Sequence, residues 1–208
     1  EGEMKRAYNI KDVMKRNYPT LDFEGKWRDA CGIPADRGTW VIYGKPKNGK
    51  TSLCMQLVKY LASNFGKVYY NSYEEGLSLS IMEAYRRVRM DDLKASSVMM
   101  VREEYEELIE RLQRPASPRF VFIDSIQFLD LTVPQYKKLK ELFPTKVFVF
   151  VSHMEGIGLQ GATAKKIEKD ASILMHVDHF RMLATGRYGG GTPYTINEER
   201  ARKYWGEL

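Results

Sequence analysis

Apolar side chains recur along this chain in two alternating rhythms. Nearly continuous β-branched or aromatic runs occur at Thr39–Tyr43, Lys67–Ser72, Ser97–Val101, Arg119–Asp124 and Lys146–Ser152. Such runs predict strands buried on both faces, since a strand covered on one side alternates apolar with polar residues. Between them, apolar positions return every three or four residues. These are Leu53, Leu57, Val58 and Leu61; Ile81, Met82, Tyr85 and Val88; Tyr105, Leu108, Ile109 and Leu112; and Tyr136, Leu139, Leu142 and Phe143. That spacing lines one face of a helix. Strand and helix in alternation predict an α/β fold, a mostly parallel twisted sheet flanked by helices.

The ends depart from this rhythm. Residues 5–18 carry Ile10, Val13, Met14 and Tyr18 at helical spacing, with Lys5, Arg6, Lys11, Lys15 and Arg16 mostly elsewhere, and Pro19 closes the segment. The pattern fits a basic amphipathic helix, either packed on the chain's own core or serving as an arm for a neighbouring subunit or nucleic acid. Residues 20–38 read as an irregular lead-in, where Trp27 and Ile33 can pack among turn-forming Gly32, Pro34, Asp36 and Gly38. After Ser152, Met154–Lys169 is basic and glycine-containing. Ser172–Val177, His179–Ala184 and Tyr194–Asn197 then have the texture of short strands, which predicts a β-rich C-terminal extension of the sheet. The expected division is a basic helix and lead-in over residues 1–37 and one core over 38–208. Met4 reads as the natural start behind Glu1-Gly2-Glu3.

Composition narrows the class. With 208 residues, 43% hydrophobic and 12% aromatic, the chain has the make-up of one packed domain plus a short arm. No apolar run approaches the ~20 residues of a membrane span and the start lacks a signal-peptide pattern, so a soluble, cytoplasmic protein with no membrane partner is expected. A net charge of +6 favours a polyanionic partner. Cys31 and Cys54 form no C-x-x-C pair; reduced thiols are expected, with Cys54 buried on its helix.

Candidate chemistry begins where the first strand ends. Gly44, Lys45, Pro46, Lys47, Asn48, Gly49, Lys50 and Thr51 complete G-x-x-x-x-G-K-[ST] between an apolar run and an amphipathic helix. Glycines let successive backbone N–H groups turn toward an anion, and the helix N-terminus, through Ser52, adds its positive end. Lys50 is expected on the β- and γ-phosphates of a nucleoside triphosphate, and the Thr51 hydroxyl on Mg²⁺. A second Mg²⁺-directed group is expected at Asp124, where four apolar residues empty into a carboxylate. Lys67–Ser72 likewise empties into Glu74 and Glu75, and the strand order usual for such folds would set it beside the loop strand. One of the two carboxylates can orient and deprotonate an attacking water; the other reading is an acidic turn at a helix start. His153, after Phe150-Val-Ser152, is placed to sense a γ-phosphate or to serve as an ordinary surface or core histidine. His176-x-x-His179 with Asp178 has some metal-ligand character but sits in a strand-like run with no cysteine nearby.

Four segments in this order resemble the RecA-like ATPases, most closely the core of the bacterial RadA repair ATPases. They are Gly44–Thr51; Val68-Tyr-Tyr-Asn-Ser-Tyr-Glu-Glu-Gly76; Val121-Phe-Ile-Asp-Ser-Ile-Gln127; and Phe150-Val-Ser-His153. The resemblance covers roughly residues 38–190 and is most specific at Ile123-Asp-Ser-Ile-Gln127. It implies a RecA-like core over 38–208, ATP and Mg²⁺ as ligands, Glu74 rather than Glu75 as the catalytic glutamate, and rings or filaments of identical subunits with sites between them. Arg86-Arg-Val-Arg-Met90 resembles the family's arginine-rich helix. Gly186-Arg-Tyr-Gly189 resembles the end of its Lys-Asn-Arg-Phe-Gly motif, which implies that Arg187 reaches a neighbour's γ-phosphate. Thr185 stands where the family has lysine, and neither its four-cysteine zinc module nor its appended protease-like domain has a counterpart, so a compact relative is expected.

RecA-like proteins contact DNA through loops after the switch strand. Here Glu155–Lys169 holds Gly156, Gly158, Gln160, Gly161, Lys165, Lys166 and Lys169, glycines for mobility and lysines for phosphate contacts, without an aromatic for base stacking; the other reading is a lysine-rich solvated helix after a flexible loop. Lys137, Lys138 and Lys140 read as a solvated helix face. The function expected is an oligomeric Mg²⁺-dependent ATPase acting on single- or double-stranded DNA in recombination, repair or replication. The alternative is a nucleotide-gated assembly ATPase acting on a protein.

Overall fold

The computed structural model describes residues 7–206. In chain order the helices are α1 (Ile10–Met14), α2 (Gly25–Cys31), α3 (Lys50–Asn64), α4 (Leu79–Arg87), α5 (Tyr105–Gln113), α6 (Val133–Leu142), α7 (Ala162–Asp170) and α8 (Glu198–Trp205). The strands are β1 (Gly38–Gly44), β2 (Val68–Ser72), β3 (Val98–Val101), β4 (Phe120–Asp124), β5 (Val147–Glu155), β6 (Gly158–Leu159), β7 (Ile173–Asp178), β8 (Arg181–Gly186) and β9 (Tyr194–Thr195). One sheet runs β3-β2-β4-β5-β1-β7-β8-β9, with β6 paired to β5. From β3 to β7 the pairings are parallel, whereas β8 and β9 are antiparallel. The mostly parallel sheet and its β-rich extension are thus as the apolar rhythm predicts.

Alternate residues of the central strands feed two cores. Trp40, Ile42, Tyr70, Phe122, Val149 and Met175 pack with α2, α3 and α4, while Val41, Tyr69, Val121, Ile123, Phe148 and Phe150 pack with α5, α6 and α7. Burial on both faces is what makes these strands continuous apolar runs. Each large side chain so buried contributes ~1.5–3 kcal/mol.

Several expectations need correction. The N-terminal helix is short, α1 covering 10–14 alone, and Lys5, Arg6 and Met4 lie outside the described residues. Ile10, Met14 and Tyr18 are exposed rather than packed on the core, and a short helix with no buried face gains little to extend it. The lead-in is more ordered than its turn residues suggest: Leu21, Phe23 and Trp27 are buried, and α2 forms within it. Met82 and Leu142 drop out of their apolar stripes and are exposed. His179 and Phe180 form a turn, so the eighth strand starts at Arg181. Within Glu155–Lys169 the flexible loop is a tight hairpin, and the lysines lie on α7, the helical alternative for this segment.

Candidate functional site

β1 ends in the turn that the phosphate-loop spacing predicts, and α3 starts at Lys50. Both framing glycines are required by space, and Gly49 by backbone freedom as well. A Cβ on Gly44 would lie 2.3 Å from the Val177 carbonyl oxygen, and one on Gly49, at φ 108°, would lie 2.9 Å from the Phe180 ring. Lys50 Nζ donates to the Gly44 and Lys45 carbonyls at 2.9 and 3.0 Å. Burial lowers the pKa of this amine despite nearby Glu74 and Asp124. From the loop, Pro46, Lys47 and Gly49 to Ser52 line a cleft of about 530 Å³. Asn48 instead turns its amide to Asp178 (3.1 Å).

The acidic wall comes from β4 and the turn after β2. Asp124 closes β4 almost wholly buried, with the Tyr70 hydroxyl donating to its Oδ2 at 2.5 Å. Burial pushes its pKa up to about 6, with Glu74 and Glu75 adding to the shift and the Tyr70 hydrogen bond and Lys50 opposing it. Glu74 donates its backbone N–H to the Asp124 carbonyl (3.0 Å), and its carboxylate lies 2.9 Å from His153 Nε2. Burial alone would raise the Glu74 pKa, yet His153, Ser125 and Lys50 together hold it below the ordinary value. Glu75 faces a different set, accepting from Thr51 Oγ1 (3.4 Å), Ser80 Oγ (2.5 Å) and Ser78 Oγ (3.4 Å). The two glutamates, inseparable by position in the sequence, therefore address opposite parts of the cleft.

One placement differs from expectation. β2 does not lie beside β1; β4 and β5 intervene, so the two strands are ~14 Å apart at ordinary strand spacing. The glutamates reach the cleft because the chain doubles back after Ser72, pinned by Glu74 N–H on Asp124 and by Gly76 N–H on the Ser72 carbonyl (2.8 Å). β5, lying between β4 and β1, brings His153 level with Gly44. Gln127 fixes that strand end: its Oε1 accepts from His153 N–H at 3.1 Å, and its Nε2 donates to Ser152 Oγ and the Gln160 carbonyl at 2.9 and 2.8 Å. The histidine is thereby tied to the start of the lysine-bearing segment.

Lys50, Thr51, Glu74, Asp124 and His153 all line this one cleft. Arg187 does not. It is exposed, following Gly186, which pairs with Ile173, itself level with Trp40; the offset from Gly44 along the strands is about 13 Å. His176 stacks on Tyr43 and His179 on Tyr204, while His179 Nδ1 bonds its neighbour Asp178 at 2.6 Å. On α7, Lys165, Lys166 and Lys169 are exposed opposite buried Ala164 and Ile167. Lys140 is no free solvated lysine: it pairs with Asp170 across the α6–α7 seam. Cys31 and Cys54 are free, and burial pushes the Cys31 thiol up to about 12.

Ser80, Arg87, Phe180 and Arg200 line the cleft without a site role in the sequence reading. Arg87 belongs to the arginine-rich run, Phe180 falls in a strand-like stretch, and Arg200 lies on α8, which no motif marks. A nucleoside triphosphate with Mg²⁺ fits the groups present. Thr51 and Asp124 offer the hard oxygen ligands that Mg²⁺ takes, and Asp124 is a buried carboxylate short of the positive charge such an ion brings.

Phosphate loop, acidic wall and β5 between them define a RecA-like fold. A KaiC-like protein from the hyperthermophilic archaeon Pyrococcus horikoshii has the same architecture, with a TM-score of 0.60 and 14% identity over 86% of this chain and 94% of that one. The flagellar accessory protein FlaH from Methanocaldococcus jannaschii gives a TM-score of 0.61 and 14% identity over 87% of this chain and 96% of its own. No protein-family model and no curated protein matches the sequence. Among the described residues no helix is long and apolar enough to cross a membrane.

Proposed function

We propose that this chain is an ATPase of the RecA type, dependent on Mg²⁺, assembling into oligomers and acting on DNA. The observation that carries the reading is the meeting of Lys50, Thr51, Glu74, Asp124 and His153 in one cleft at the C-terminal ends of β1, β4 and β5. Backbone N–H groups from Gly49 to Ser52 cradle the phosphates, and Lys50 leaves the Gly44 and Lys45 carbonyls to reach them. Thr51 and Asp124 would hold Mg²⁺, which when bound would supply positive charge against the phosphates. Glu74 orients the attacking water, and His153 reports the state of the γ-phosphate through Gln127 to residues 154–169.

Assembly and DNA are the finer parts of the proposal. Arg187, exposed and remote from its own cleft, suits a residue that acts on a neighbour, and exposed Ile10 and Met14 of α1 suit an arm laid on that neighbour. The exposed lysines of α7 support a polyanionic partner. The test is ATPase rate and oligomer size, each with and without single-stranded DNA, at low and high salt. DNA is expected to raise the rate severalfold, with the gain lost as salt rises. Arg187→Ala is expected to lower the rate of the assembled protein without changing ATP affinity. A rate and size indifferent to DNA remove DNA as the partner, and an unaffected Arg187→Ala removes the residue from the reaction.

A further inference from the structure

The turn joining β7 to β8 leans directly on the phosphate loop. Phe180 N–H donates to the Asn48 carbonyl at 2.9 Å, Asn48 Nδ2 donates to Asp178 at 3.1 Å, and the Phe180 ring abuts Gly49. His179 and Phe180 occupy the left-handed region, φ 40° and 62°, where a bulky aromatic is rarely found. Strain of this kind persists only where surroundings hold it. Here Ile196 N–H donates to the Phe180 carbonyl (2.8 Å), and α8 supplies the Trp205 indole to the His179 carbonyl (3.2 Å) and the Tyr204 ring stacked on His179. The brace keeps the Phe180 ring at the edge of the cleft, half-buried, with the Arg200 guanidinium 4.9 Å from its centroid.

Sheet order gives this position its meaning. Glu74, Asp124 and His153 approach the loop from the β4–β5 side of β1, whereas Phe180 and Arg200 approach from the β7–β8 side. A triphosphate with its γ-phosphate at the carboxylates therefore directs its nucleoside toward Phe180. We propose that Phe180 and Arg200 form the nucleobase subsite, the base stacking on the ring of Phe180 with the guanidinium of Arg200 closing over it. The inference rests on the nucleotide reading above and adds how the base is recognised. Stacking serves any base, because each has a π-face. Asn48 of the phosphate loop and His179 of the turn both bond Asp178 through its Oδ1, which holds these three polar side chains to one another. The stack itself therefore selects little between adenine and guanine.

Equilibrium binding with Mg²⁺ tests this, using ATP, GTP and inorganic tripolyphosphate as ligands. The native protein is expected to bind ATP and GTP within about threefold of each other, and ATP about tenfold more tightly than tripolyphosphate. Phe180→Leu keeps bulk against Gly49 but removes the π-face; it loses about tenfold for ATP and leaves tripolyphosphate unchanged, while Phe180→Trp retains ATP binding. Equal loss for both ligands in Phe180→Leu, or no loss for ATP, overturns the subsite and leaves the phosphate site standing. Failure of the native protein to bind any of the three overturns the nucleotide reading and the subsite together.

Discussion

Glu74→Gln is expected to bind ATP and Mg²⁺ with near-native affinity while its turnover falls by about 10²- to 10⁴-fold, the range a positioned general base supplies. The amide matches the carboxylate in shape and can still bond His153, now 2.9 Å away, so the cleft keeps its form. What it cannot do is take a proton from water. His153, Ser125 and Lys50 hold the Glu74 carboxyl below its ordinary pKa against the effect of burial, so the native group is ionised throughout the neutral range. Lys50→Ala is the contrasting variant, expected to lose affinity as well as turnover, because the amine contacts the ligand rather than the nucleophile. Glu75→Gln completes the set. Glu75 engages Thr51, Ser78 and Ser80 instead of His153, and its replacement is expected to change turnover only severalfold. Single-turnover hydrolysis beside equilibrium binding separates the three. Native turnover in Glu74→Gln, with turnover lost in Glu75→Gln, would transfer the role to the second glutamate.

Much of this site is legible in the chain because its parts sit at the ends of buried strands. A run such as Phe120-Val-Phe-Ile123 declares a central strand, and the first carboxylate after it, Asp124, must emerge at the strand's C-terminal end. The same reasoning finds the loop after Tyr43 and His153 after Ser152. Lateral order is not written that way. Nothing in Val68–Ser72 states that β4 and β5 intervene between it and β1, and the return of Glu74 to Asp124 rests on backbone hydrogen bonds that any residue can make.

Residues that act from outside the strand ends were harder to see. Phe180 lies in a two-residue turn whose left-handed backbone usually selects glycine or asparagine, and His-Phe gives no such signal. Arg200 projects from a helix with one buried residue, Ala201, so α8 lacks the apolar stripe that announces a packed helix. α1 shows the converse. Its stripe is present in the sequence but exposed among the described residues, since periodicity records that a face is apolar and not what covers it.

Asp124→Asn is expected to stabilise the nucleotide-free protein at pH 8 while abolishing its Mg²⁺-dependent response to ATP. Burial lifts the Asp124 carboxyl from 3.8 to about 6, so the folded state binds this proton more tightly than the unfolded chain does. The sign follows from that difference: the folded state is favoured below the unfolded value, and the advantage is lost as pH rises through 6. Keeping the carboxylate charged at pH 8 therefore costs about 3 kcal/mol relative to an unperturbed group. Asparagine removes the charge and still accepts from Tyr70 through its amide oxygen. Thermal unfolding without ligands is expected to show a gain of ~1–3 kcal/mol at pH 8, a rise of several degrees in Tm for a chain of this size, shrinking below pH 6 and vanishing near pH 4. Added Mg²⁺ and ATP should then raise the Tm of the native protein well above that of the variant, because the cation finds its charged partner only in the former. A variant less stable than the native protein at pH 8 would mean that Asp124 is sustained by its surroundings rather than held in readiness for a cation. The pH below which the gap between the two unfolding curves begins to narrow reports the folded-state pKa, and their convergence near pH 4 separates the electrostatic account from any change in packing, which would persist at low pH.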